Sequence, residues 1–423
     1  MPALLPIFKK AYWTLAALGG TYAAFLVLLT NPYIQRHALY AYKIHSGRWD
    51  NALDRPASLG FGQNQVHAFN LPTPDGEELF GWHMLPLTLY ARHEAELESA
   101  AKTNTSAALA LKLLTDDPES RVVINFHGNA GHIAQGHRPL TYRSLTSSHP
   151  RIHIFTIDYR GFGLSTGFPT ETGLITDGIA LVNHVLSLGI PSSRIVIIGQ
   201  SLGTAVASAV GLHFASPSAA PELLPPKEDG TAFVAERDHH SPSLGEEGEG
   251  VDFAAIILVA SFQSLPKLLL TYRIGGLIPI LSPLRPYHRL REYLLSTLKD
   301  KWNTSARLNA LTTVVSTPGR NLRLHILHAR NDWEIPWKSS EENFRAADEG
   351  LIAYSAEGEG KNKSFGGFVE GTGVKFVELG AGRVKLILEV LRWGGHNQIV
   401  ADVPVAIAVL KAFGLVEDTN YYH

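Results

Sequence analysis

The strongest constraint on this chain is a series of short apolar runs alternating with helix-like stretches. Residues 121–126, 152–157, 194–198, 254–259, 322–327 and 384–391 read as strands that are apolar on both faces. Helix patterns lie between several of them, at 171–188, 202–214, 336–347 and 403–413. Such strands must be covered on both sides, so the pattern predicts a mostly parallel sheet between two helical layers, an α/β fold. Residues 66–71 and 78–84 flank Pro72-Thr73-Pro74-Asp75-Gly76 and read as a β-hairpin ahead of that sheet. The stretch 91–114 is Ala- and Leu-rich and helix-compatible. With 45% hydrophobic and 18% charged residues, a disordered acidic chain is excluded. Lys+Arg 37 against Asp+Glu 39 leaves no basic footprint for nucleic acid. The chain has no cysteine, which removes disulfides, thiolate nucleophiles and thiolate metal ligands together.

Residues 11–30 contain no charged side chain. As a helix, about 20 residues span about 30 Å, the thickness of a bilayer's hydrocarbon core. Lys9 and Lys10 precede the run, and Tyr12 and Trp13 stand where an interfacial aromatic belt would sit. A cleaved signal would be shorter and end in small residues, whereas this run ends in Leu29-Thr30-Asn31-Pro32-Tyr33. The expectation is a short tail (1–10), a transmembrane anchor (11–30) and a linker (31–60). Lys9 and Lys10 favour a cytoplasmic N-terminus, while Arg36, Lys43 and Arg48 oppose it. N-glycosylation sequons at Asn104, Asn303 and Asn362 permit a luminal domain.

Residues 61–423 then form the main domain. Within it, 216–250 is rich in Pro, Ser, Glu and Gly and is expected to be a disordered insertion. Residues 355–372 form a second, Gly-rich insertion. Residues 262–314 hold an apolar stretch, 268–284, broken by Gly275, Gly276, Pro279 and Pro283, and are expected to be a lid over the sheet's C-terminal edge.

Gly199-Gln200-Ser201-Leu202-Gly203 matches G-x-S-x-G, and so does Gly163-Leu164-Ser165-Thr166-Gly167. Context separates them. An elbow that exposes a serine hydroxyl follows a buried strand and opens a helix. Ser201 has that setting; Ser165 lies in a glycine-rich loop just before Pro169. A serine hydroxyl needs a base and an orienting acid, which follow in the order acid, then histidine. Asp332 stands just past the strand at 322–327, with Glu334 as the fallback. His396 follows the last strand after Gly394 and Gly395. The loop His127-Gly128-Asn129-Ala130-Gly131 follows the strand at 121–126. The backbone N–H of Asn129, with Ala130 as alternative, and that of Leu202 are the expected oxyanion donors. His127, His132 and His137 lack a carboxylate partner and the spacing of a metal site, and no cofactor motif is present.

Three runs carry a resemblance: Asn125-Phe126-His127-Gly128-Asn129-Ala130-Gly131, Asp158-Tyr159-Arg160-Gly161-Phe162-Gly163-Leu164-Ser165-Thr166-Gly167, and the Ser201 elbow. They resemble the serine α/β-hydrolases. More narrowly, they are similar to the membrane-anchored α/β-hydrolase-domain type 12 monoacylglycerol and lysophosphatidylserine lipases and their fungal relatives. The resemblance implies an α/β-hydrolase fold, a Ser201–His396–Asp332 triad, an acyl-enzyme and a lipid ester substrate. It also implies an endoplasmic-reticulum membrane protein with a luminal catalytic domain. A serine peptidase or thioesterase on the same fold, or a non-catalytic anchored scaffold, are the alternatives.

Overall fold

The computed structural model describes residues 4–43, 52–216, 223–224, 250–274, 278–317, 319–355, 362–369, 372–380 and 382–418. Most of the expected insertion at 216–250 lies outside them. In chain order the strands are β1 (Val66–Pro72), β2 (Glu78–Met84), β3 (Arg121–Phe126), β4 (Ile152–Ile157), β5 (Ile195–Gln200), β6 (Ala255–Val259), β7 (Arg273–Ile274), β8 (Ile278–Pro279), β9 (Leu322–Ala329), β10 (Asn362–Val369), β11 (Thr372–Leu379) and β12 (Val384–Leu391). The helices are α1 (Leu4–Leu28), α2 (Pro32–Tyr40), α3 (Leu87–Ala101), α4 (Ser106–Thr115), α5 (Arg138–Ser148), α6 (Glu171–Ser187), α7 (Leu202–Ala215), α8 (Leu265–Thr271), α9 (His288–Ser296), α10 (Thr304–Val315), α11 (Lys338–Ser355) and α12 (Val403–Ala412).

One sheet runs in the order β1-β2-β4-β3-β5-β6-β9-β12-β11-β10. Its centre, from β4 to β12, is parallel. Successive side chains on a strand face opposite ways, and here both faces are apolar. Val122, Ile124 and Phe126 join Ile195, Ile197, Ile256 and Leu258 under α6, α7, α10 and α11. Val123, Val196, Ile198 and Ile257 face the other way, onto a layer that includes Tyr142 and Leu145 of α5 and Val405 and Val409 of α12. The α/β-hydrolase arrangement expected from the sequence is therefore present, with antiparallel strands closing both edges.

The structure differs from the expectation at three places. Residues 355–372 are not wholly irregular: β10 pairs antiparallel with β11, which pairs with β12. Edge pairing supplies the strand order that a Gly-rich composition conceals. The excursion at 262–314 divides. Residues 265–274 and 278–298 roof the sheet's C-terminal edge, but α10 buries Leu308, Leu311 and Val315 in the helical layer beside α7 and α11. The apolar N-terminal helix starts earlier than expected, at Leu4, and ends at Leu28. By length and composition, Ile7–Leu28 is able to cross a membrane.

The roof is tied down by buried charge. Glu171, at the start of α6, meets Arg307 of α10 at 2.5 Å and accepts hydrogen bonds from the backbone N–H groups of Lys301 and Trp302. Removing one member of a buried pair strands the other's charge. Arg307→Ala is expected to lower stability by about 3–5 kcal/mol, read by denaturant unfolding of the full chain in detergent.

Candidate active site

Parallel strands lie about 4.8 Å apart and all end on one side of the sheet. The loops after β3, β5, β9 and β12 therefore converge at one edge. They carry Asn129, Ser201, Asp332 and His396 in that order.

Ser201 sits between β5 and α7 with φ 52° and ψ −115°. A side chain rarely adopts that backbone, and it lifts the serine out of the strand direction. Its own N–H bonds to the Val259 carbonyl on β6 at 3.0 Å. The flanking glycines make the turn possible. A Cβ at Gly199 would lie 2.2 Å from the Gly203 carbonyl oxygen, and one at Gly203 would lie 2.1 Å from the Phe126 carbonyl oxygen.

From Ser201 a line of hydrogen bonds runs inward. Ser201 Oγ lies 3.0 Å from His396 Nε2, and His396 Nδ1 lies 2.7 Å from Asp332 Oδ2. Asp332 Oδ1 accepts the backbone N–H groups of Glu334 and Ile335 at 2.8 and 2.9 Å. The Asp332 carboxylate is fully buried. The histidine loop turns back at Gly395 (φ 57°), whose N–H donates to Asn331 Oδ1 at 2.9 Å. The Gln200 side-chain amide donates to the His396 carbonyl at 3.1 Å. Of the expected residues, the structure thus brings Ser201, Asp332 and His396 into one array. Glu334 stands beside it, its carboxylate 3.9 Å from His396 Nε2. Asn129, Ala130 and Leu202 line the same cavity as Ser201. As the first residue of α7, Leu202 has an N–H without a partner inside the helix.

Burial alone would push Asp332 up and His396 down. Hydrogen bonds from His328 and His396 outweigh that at Asp332 and hold its carboxyl well below the usual range. At His396, the bond to Asp332 and the charges of Asp332 and Glu334 outweigh burial and raise the imidazole above its ordinary value.

Ser165 is elsewhere. It is buried, donates to the Asp158 carbonyl at 2.6 Å and accepts the Phe80 N–H at 2.9 Å. It holds a turn against β2. The loop after β3 is held from below by buried Arg138, which donates to the carbonyls of Gly128, Asn129, Ala130 and His132 at 2.6–3.0 Å. With these carbonyls held by one guanidinium the loop keeps a tight turn, in which Ala130 and Gly131 take positive φ.

Sequence reasoning passed over His328, the penultimate residue of β9. Its Nε2 lies 3.1 Å from Asp332 Oδ2 and 3.0 Å from the Ile335 carbonyl, so that nitrogen carries the proton. Its Nδ1 lies 2.7 Å from Ser340 Oγ, which is linked to Ser261 and, through it, to Asn343. All of these side chains are buried. Asp332 therefore stands between two histidines. A histidine inside an apolar strand, four residues before an acidic loop, was the available signal.

The cavity above Ser201 measures about 420 Å³. Its floor is polar, with Ser201, His396 and Gln200; its walls include Leu39, Leu269 and Ile280.

The sequence matches the alpha/beta hydrolase family over residues 122–353. The chain belongs to that family. It is 36% identical over 165 residues to protein bem46 of Schizosaccharomyces pombe, covering 38% of this chain and 48% of that protein. It is 33% identical over 156 residues to the lysophosphatidylserine lipase ABHD12 of Danio rerio, covering 37% of each. The matched stretch thus spans less than half the length of either curated relative. An α-β hydrolase from Vibrio vulnificus aligns over 92% of this chain and 93% of its own at 14% identity and a TM-score of 0.48, a likeness too loose to carry an argument.

In this family member, His396 is expected to titrate above an ordinary histidine, and Asp332→Asn is expected to move it below one, because burial, the largest single influence, is then opposed only by the Glu334 charge. Histidine NMR titration, with His396→Gln to assign the signal, measures both shifts. Glu334→Gln should lower the value by a smaller step.

Proposed function

We propose that this chain is a membrane-anchored serine hydrolase that cleaves carboxylic esters of lipids, of the monoacylglycerol or lysophospholipid type. One observation carries the reading: a buried carboxylate is linked through an imidazole to an elbow serine at the floor of an apolar-walled cavity. The lysophosphatidylserine lipase named among the relatives supports the substrate class.

In this reading Ser201 Oγ attacks the ester carbonyl while His396 Nε2 takes its proton. The N–H groups of Asn129 and Leu202 receive the developing oxyanion. His396 then gives the proton to the departing alcohol, and the acyl group stays on Ser201. Water, deprotonated by His396, releases the acid. Asp332 keeps the imidazole oriented and stabilises its charged form, and His328 keeps Asp332 in place. Because the base works neutral, its raised pKa means that the rate climbs with pH through a range above that of an ordinary histidine.

The anchor is α1, and residues 61–423 form the catalytic domain on the far side of it. We read that side as the lumen of the endoplasmic reticulum, on the family resemblance and on two sequon asparagines, Asn104 and Asn303, that stand exposed.

A fluorophosphonate probe tests the chemistry. Wild-type protein in membranes is expected to label, and Ser201→Ala is expected not to. Persistent labelling of Ser201→Ala would move the nucleophile elsewhere and end this assignment. Asp332→Asn should cut ester turnover by about 10⁴, measured on a short-chain ester. For orientation, digestion with an endoglycosidase should shift the expressed protein's mobility, with Asn104→Gln and Asn303→Gln each removing one step; an unshifted wild type would count against the luminal reading.

A further inference from the structure

A second cavity, of about 250 Å³, lies beside the first. Ala38, Leu39, Leu269 and Ile280 line both, so the two spaces share a wall of four side chains. The second cavity is bounded by Phe25, Leu26 and Leu29 on one side and by Leu294, Leu295 and Leu298 of the roof on the other. Its polar members, Gln35 and Thr297, are both engaged: the Gln35 amide donates to the carbonyls of Leu29 and Thr297 and accepts the Lys299 N–H, and the Thr297 hydroxyl donates to the Leu294 carbonyl at 2.7 Å. The lining that remains is hydrocarbon.

The N-terminal helices are built into this region. Leu26 is buried although most of α1 is exposed, and the Tyr22 hydroxyl donates to the Ile280 carbonyl of the roof at 2.7 Å. In α2, the Tyr40 hydroxyl donates to Asp300 at 2.7 Å and receives the Trp302 indole N–H at 3.1 Å. The Leu39 carbonyl accepts the Asn129 side-chain amide, so α2 touches the loop after β3 directly. The cavity beside the last turn of α1 and the cavity above Ser201 therefore adjoin, with the aliphatic side chains of Ala38, Leu39, Leu269 and Ile280 between them.

We propose that the last turn of α1 together with α2 is a substrate-binding element: it forms one wall of a corridor that takes the acyl chain from the bilayer to Ser201. The proposal rests on the reading of the chain as a lipid ester hydrolase. In it, the anchor does more than tether the domain, because the helix that leaves the bilayer is also the surface along which the acyl chain slides. The chain's carbonyl end stops at Ser201, and its far end lies between α1 and α9. Each methylene held there is worth about fourfold in kcat/KM, from the cost of leaving it in water.

The test uses the full-length protein in phospholipid vesicles. A long-chain alkyl fluorophosphonate with a diazirine at its far end is attached to Ser201, fluoride leaving as the oxygen–phosphorus bond forms. After irradiation, crosslinks within 25–38 or 294–298 support the corridor; crosslinks confined to other segments overturn it. In parallel, Ala38→Trp, at an exposed position on the shared wall, and Leu295→Trp, which touches only the second cavity, should each lower the ratio of oleoyl to acetyl ester kcat/KM more than tenfold. Rates are counted per fluorophosphonate-labelled serine, so a poorly folded variant does not mimic the effect. A ratio within twofold of wild type in both variants overturns the corridor and leaves the hydrolase reading intact. Absence of labelling in wild type overturns the hydrolase reading itself, and the corridor falls with it.

Discussion

Parallel backbone pairing from β4 to β12 sets the spacing of every loop that carries chemistry in this protein. Each strand adds a fixed step of about 4.8 Å, and each ends at the same edge. Ser201 after β5 and Asp332 after β9 are separated by one strand, β6. The distance is too long for a direct bond and suits an imidazole laid between them. The loop after β12 supplies that imidazole by folding back across β9. The ladder therefore decides which loops meet. The glycines at 199, 203 and 395 decide whether each loop can make its approach.

The electrostatics follow from burial within this frame. A carboxylate as enclosed as that of Asp332 would by itself be driven toward its neutral form. It stays charged because two backbone N–H groups and two histidines surround it. That charge in turn raises His396. The helical layers that bury the sheet thus also create the low-dielectric setting in which one hydrogen-bond line can carry a proton. The ion pair between Glu171 and Arg307 and the contact of Tyr40 with Asp300 extend the same logic to the roof, joining α2, α6 and α10 around buried charge.

Much of this was legible in the residues. The central strands were visible because doubly buried strands are continuous apolar runs, and the bounds of β3, β4 and β12 match the sequence reading. Ser201, Asp332 and His396 were legible because each stands in a short loop just past such a run. Other parts were hidden for identifiable reasons. Strand β10 lies in a Gly-rich stretch whose local propensity points to a loop; only edge pairing with β11, itself paired with β12, orders it. Helix α10 was grouped with the lid because its sequence neighbours are roof residues, while its contacts are with α7 and α11. The role of His328 was hidden because its partners, Ser340 and Asp332, reach it only when the loop after β9 closes. Residues 31–60 were read as a linker, yet α2 within them touches residues far along the chain.

The sequence by itself determined the layered parallel sheet, the apolar N-terminal helix, and the three residues whose loops end at the sheet's edge. These are local facts, written in periodicity and in glycine spacing. Tertiary structure alone decided that α2 walls the cavity, that Asp332 has a second histidine, that Arg138 holds the loop after β3, and that the roof and the N-terminal helix enclose a common apolar space. Those contacts join residues distant in the chain, or loops that meet only after folding. Their side chains give no periodic signal, because what selects them is the partner across the fold and not the neighbour in sequence.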